Sequence, residues 1–181
     1  MKHTVVALVE NKPGVLARVA GLFRRRNFNI ESLTVGTTED PTVSRMTIVV
    51  DSTATDASMV ERNLYKLVNV LYVQDISTEP SVTRDLALIK VSAPAEKRAE
   101  IIQLVDIYKA RIVDVGQNSV IVEMTGSPAK VDQFIQLLQP FGLREMVRTG
   151  LVAMKRGDEP MFQEETDEHA RGEWRVITSN G

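Results

Sequence analysis

Apolar and polar positions change rhythm at regular intervals along the chain, and the changes mark its elements. Thr4 to Val9 is an unbroken β-branched and apolar run, as in a buried strand. Val15, Leu16, Val19, Leu22 and Phe23 then recur at helical spacing, while Arg18, Arg24, Arg25 and Arg26 point elsewhere. Asn27 to Val35 reads as a second strand, Glu39-Asp40-Pro41 as a turn, and Val43 to Val50 as a third strand. Thr55-Asp56 can cap a second helix with Val60, Leu64, Leu67 and Val68 on one face. Val70 to Ser77 closes the set as a fourth strand.

Glu79 to Thr83 (EPSVT) breaks the pattern, and the order then repeats. Asp85 to Val91 predicts a strand, and Ala95 to Tyr108 a helix with Ile101, Leu104, Val105 and Tyr108 on one stripe. Arg111 to Val115 and Val120 to Met124 flank the turn signal Gly116-Gln117-Asn118. Ser127-Pro128 is a cap followed by proline at the first helical position, ahead of the stripe Val131, Phe134, Ile135 and Leu138. Pro140 and Gly142 end that helix, and Leu143 to Met154 predicts one last strand. Pro13, Pro41, Pro80, Pro94, Pro128 and Pro140 all fall at these boundaries.

A βαββαβ order is the ferredoxin-like split βαβ, an antiparallel four-stranded sheet with both helices on one face. The pattern therefore predicts an α+β protein of two tandem ferredoxin-like βαββαβ domains, over residues 1–79 and 84–157. The open face and edge strand of such a sheet need covering, which points to a dimer or a partner. Residues 158–181 are acidic and poor in apolar residues, as a mobile tail would be, and Trp174 within them reads as a stray aromatic of a terminus.

Composition narrows the function classes. The apolar share of 43% and charged share of 25% are ordinary for a globular chain. A net charge of -2 gives no electrostatic reason to expect nucleic acid. The absence of cysteine excludes disulfides and thiol chemistry and fits a reducing compartment. No stretch approaches the ~18 apolar residues of a membrane span, and the start is too short in apolar residues for a signal peptide. A cytoplasmic protein is expected.

The chain offers little catalytic chemistry. His3 and His169 lie at its extremes, and there is no nucleophile elbow, Gly-rich phosphate loop or metal-binding helix motif. Glu164, Glu165, Asp167 and Glu168 read as a solvated tail, and Glu31, Asp51 and Asp75 as isolated edge or turn charges. Catalysis by this chain alone is not expected. A ferredoxin-like RNA binder needs stacking aromatics on its central strands, where this chain carries Ile30, Leu33, Val35, Met46 and Ile48. A metal chaperone of this fold needs a cysteine pair. What remains is the loop before the first helix. Pro13 and Gly14 precede a helix start whose free N–H groups and dipole favour a carboxylate. Gly14 admits close backbone approach. Asn11 carries both a donor and an acceptor, and Asn29 is a second polar group among apolar neighbours. From the residues alone, a plain turn and a small ligand site fit equally well.

The segment NKPGVLARVAGLFRRRNFNIESL resembles the ACT domain, an amino-acid-sensing module of βαββαβ order. NFNIESLTVGTTEDPTVSRMTIVV followed by KLVNVLYVQDIS, together with the strand Asp85 to Val91, is similar to the regulatory small-subunit family of acetolactate synthase. The likeness spans about residues 3–157, so the first domain is expected to be an ACT domain and the second the family's C-terminal one. The resemblance implies a subunit without an active site that binds and activates a catalytic large subunit. Thiamine diphosphate, FAD and magnesium would sit on that catalytic subunit and none on this chain. It also implies a homodimer through the ACT domains and feedback inhibition by valine or another branched-chain amino acid. The implied effector site pairs Asn11, Gly14, Val15 and Leu16 of one protomer with Asn29 and Ile30 of its neighbour. Val15, Leu16 and Ile30 would line the aliphatic pocket, and loop N–H groups would take the carboxylate. One methylene is worth only ~1–3 kcal/mol, so the residues do not choose among valine, leucine and isoleucine. The alternative is a stand-alone ACT-type sensor that controls another enzyme or transcription.

Overall fold

The structure, a computed structural model, describes residues 2–51 and 57–161. They belong to two compact units, each an antiparallel sheet with two helices. The first is built from β1 (Lys2–Glu10), α1 (Val15–Arg25), β2 (Asn29–Thr37), β3 (Val43–Asp51), α2 (Ala57–Leu64) and β4 (Val70–Asp75). Its strand order is β2-β3-β1-β4, which leaves β2 and β4 at the edges. The register sets Val5 opposite Ile48 and Ala7 opposite Met46, so alternate residues of the two central strands share one face. These four are buried along with Val19, Leu22 and Phe23 of α1 and Val60 and Leu64 of α2. Phe28 meets Phe23 edge-on, with ring centroids 5.6 Å apart, and closes the core where α1 turns into β2.

Local sequence explains where expectation and structure part. Met46 and Ile48 do lie on a central strand, but Ile30, Leu33 and Val35 lie on the edge strand β2. α2 stops at Leu64 rather than continuing to Val68, which is 82% exposed. The Tyr65 hydroxyl donates to the Val73 carbonyl and accepts from the Val73 N–H, both at 3.1 Å, which ties the chain to β4 immediately after the helix. The proposed cap Thr55-Asp56 lies outside the described residues.

Asp75 and Glu31 are not isolated charges. Lys2 Nζ lies 2.8 Å from Glu31, and His3 Nδ1 lies 2.9 Å from Asp75, which also accepts from the N–H and hydroxyl of Ser77. Burial works against the Asp75 charge, but the Ser77 and His3 hydrogen bonds outweigh it and hold the carboxyl below its usual pKa. Glu61 on α2 shifts the other way: burial, and then the Asp75 charge, push it above its usual value of 4.5. A raised folded-state pKa means stability that is fully present below the unfolded value and lost as pH rises through the folded one. Glu61→Gln is therefore expected to raise the melting point at pH 7. Solvent screening of this half-buried group limits the gain to less than about 1 kcal/mol. Melting curves across pH should show the gain vanish below about pH 4.5.

The second unit contains β5 (Ser81–Ser92), α3 (Ala95–Tyr108), β6 (Arg111–Val115), β7 (Ser119–Gly126), α4 (Pro128–Leu138), a 3-10 turn (Gln139–Phe141), β8 (Leu143–Arg148) and β9 (Val152–Lys155). Its order is β6-β7-β5-β8, with β9 also paired to β5. Ala87, Ile89 and Val91 of β5 and Val120, Val122 and Met124 of β7 pack with Ile101, Val105, Val131, Phe134 and Leu138 of the helices. The Tyr108 ring tilts onto Phe134 at 5.0 Å. Two boundaries differ from expectation. β5 starts at Ser81, inside the expected break, and the single last strand is two, separated by a turn in which Gly150 takes a positive φ of 86°. Asp85, 3% exposed, accepts from Arg148 Nε at 2.8 Å and from its terminal nitrogen. Arg148 also reaches Asp132 on α4 at 2.6 Å, so one guanidinium joins three elements. No helix among the described residues is long and apolar enough to cross a membrane.

Candidate functional site

The loop between β1 and α1 is held by its own backbone and by the β2–β3 turn. Asn11 donates its N–H to the Thr42 carbonyl at 2.6 Å and its side-chain amide to the Pro41 carbonyl at 2.9 Å. That turn is itself fixed, because Asp40 Oδ1 accepts from the Thr42 N–H at 2.8 Å and from its hydroxyl at 2.7 Å. These two bonds favour the charged form and hold the Asp40 carboxyl below its usual pKa. The role of Thr42 was not read from the sequence. The signal was present in Asp40-Pro41-Thr42, but a turn's sequence does not say which other loop it braces.

Gly14 takes φ 83° and ψ -9°, a left-handed conformation that other residues adopt at a cost. As the N-cap of α1 it has no side chain to offer the first-turn N–H groups, and that turn contains no acidic residue. The positive end of the helix dipole is therefore uncompensated by the helix's own side chains, as an anion site requires. Val15 is 4% exposed and belongs to the core, and its backbone N–H donates to the Lys12 carbonyl at 3.4 Å. Leu16, the next residue, is 46% exposed and places an aliphatic side chain beside the helix start.

Asn29 is exposed and Ile30 half-buried, both at the first residues of β2. The register places them far from the loop within one chain. Glu10 pairs with Val43 at one end of the sheet and Lys2 with Asp51 at the other, and Lys2 also binds Glu31. Nine residues of strand separate those ends, about 25 Å at strand rise. The structure thus brings Asn11, Gly14, Val15 and Leu16 together at one end and leaves Asn29 and Ile30 at the opposite end. Among the described residues, no group of three or more His, Asp or Glu could hold a metal ion.

Comparison with known proteins agrees with this architecture in both units. Residues 6–72 match the family model described as the AHAS small subunit-like ACT domain. Residues 84–157 match the one described as the small subunit of acetolactate synthase. A probable acetolactate synthase small subunit from Archaeoglobus fulgidus is 58% identical over 158 residues, covering 87% of this chain and 99% of the relative. The acetolactate synthase small subunit of Mycobacterium leprae is 50% identical over 155 residues, covering 86% and 92% respectively. The crystal structure of the acetolactate synthase small subunit from Thermotoga maritima superposes with a TM-score of 0.80 at 43% identity, covering 88% of this chain and 99% of that one. With its fold, both of its units and nearly the full length of these relatives matched, the chain belongs to the family of acetolactate synthase small subunits.

Proposed function

We propose that this chain is a non-catalytic regulatory subunit, which binds and activates the acetolactate synthase catalytic subunit and makes it sensitive to valine or a related amino acid. The thiamine diphosphate, FAD and magnesium of that reaction would belong to the catalytic subunit. The observation that carries the reading is the α1 start: Gly14 in a left-handed conformation, no side-chain cap, and Leu16 exposed beside it. The first-turn N–H groups would take the effector carboxylate. The Asn11 amide is spent on Pro41, which leaves its carbonyl oxygen for the effector ammonium. Asn29 and Ile30 would complete the pocket from a second copy, since their own chain holds them at the far end of the sheet. An effector bound between two protomers biases their relation, and the catalytic subunit would read this as a coupling of ~1–3 kcal/mol.

Reconstitution tests the proposal. Added to a cognate catalytic subunit, the chain is expected to raise acetolactate formation, and one of valine, leucine or isoleucine to reverse the increase. Unchanged activity would reject the regulatory role. Activation with no response to any of the three would reject the effector site.

A further inference from the structure

Asn69, outside the Asn11–Leu16 segment, sits in a hydrogen-bonded bridge between the end of β1 and α1. Its side-chain amide donates to Glu10 Oε2 at 2.5 Å, and its carbonyl Oδ1 accepts from Arg18 Nη1 at 2.7 Å. Its backbone carbonyl also accepts the Glu10 N–H at 2.8 Å. Glu10 is the last residue of β1, and its other oxygen meets Lys12 Nζ at 3.1 Å. Arg18 is one turn into α1, and its N–H is the donor to the Gly14 carbonyl. The two residues that Asn69 joins therefore flank the Asn11–Leu16 segment, one at each end. We infer that Asn69 is a positioning residue for the effector loop, setting the distance between the end of β1 and the start of α1 and thereby the aim of the first-turn N–H groups. This rests on the effector-site reading above. A side chain with one donor end and one acceptor end is required, because Glu10 can only accept and Arg18 can only donate.

That polarity makes the inference testable by exchange. Asn69→Asp keeps the acceptor for Arg18 but sets a carboxylate against the Glu10 carboxylate. Glu10→Gln with Asn69→Asp reverses donor and acceptor and restores a complementary pair, at the loss of the exposed ion pair to Lys12. Calorimetric titration of the full chain with valine, leucine and isoleucine is the measurement, with melting temperature read alongside. Asn69→Asp is expected to weaken the preferred amino acid about tenfold or more, and the double exchange to return it to within about threefold. An Asn69→Asp chain that melts lower yet binds as wild type makes Asn69 a structural residue only and overturns the inference. A double exchange as weak as the single change also overturns it. A wild-type chain that binds none of the three amino acids instead overturns the effector-site reading itself.

Discussion

Arg148→Met is expected to destabilise the second unit by about 3–5 kcal/mol, because it strips a buried carboxylate of its cation. Asp85 is 3% exposed, and both hydrogen bonds from Arg148 end on one of its oxygens. Methionine matches the aliphatic stem of arginine, so the loss is electrostatic rather than a matter of volume. The other contact of the guanidinium, to Asp132, is solvent-exposed, and Asp132→Ala should cost less than about 1 kcal/mol. Replacing both partners, Asp85→Leu with Arg148→Met, should recover most of the loss, since apolar groups of similar size replace a buried ion pair at little net cost. Urea unfolding followed by circular dichroism gives the midpoints of the wild type and the three variants. Equal midpoints for Arg148→Met and Asp132→Ala would show that the buried half of the cluster carries no special weight.

Gly14→Asp is expected to abolish inhibition. The position has open space, with nothing within 4 Å of an added Cβ. The positive φ costs any replacement about 1–2 kcal/mol, felt as a lower melting point. A carboxylate here would also face the N–H groups proposed to take the effector carboxylate. Two such charges about 4 Å apart repel by ~4 kcal/mol near a protein surface, roughly a thousandfold in affinity. Gly14→Ala separates the two causes, since it carries the strain without the charge. Its inhibition should persist, weakened by no more than about tenfold. Inhibition curves of the reconstituted enzyme with each variant decide the matter, and equal loss in both would point to backbone shape instead of charge.

Much of the fold was legible because period and punctuation agreed. The helix Ala95–Tyr108 and the strand Arg111–Val115 stand at the bounds their spacing predicts, since Pro94 and Gly116 punctuate them. The misses come from long-range contacts that periodicity does not carry. Leu67 and Val68 fit the stripe of α2, but the Tyr65 hydroxyl pairs with Val73 and ends the helix first. Apolar alternation through Leu143–Met154 hides the turn at Gly150, where a single glycine outweighs the pattern. Glu31 and Asp75 looked solitary because Lys2 and His3, which pair with them, are distant from them in sequence, although Ser77 beside Asp75 is also a partner. For the candidate site, Pro13-Gly14 announced a helix start but not the left-handed backbone of Gly14, and Asn11 gave no hint that Pro41 would hold its amide. Val15 fell on the helical stripe and on the loop at once, and the core claimed its side chain.

The edge strand β2 also bears on how the protein is made. It is the end strand of its sheet, and it begins with the Asn29 and Ile30 proposed for the neighbouring copy's effector pocket. A sheet edge of this kind can pair with an extended chain it meets. A cell that synthesised this subunit well ahead of its assembly partners would accumulate open edges, and aggregation would compete with assembly. On the proposed role, matched synthesis of this chain and its catalytic partner would protect solubility as well as regulation.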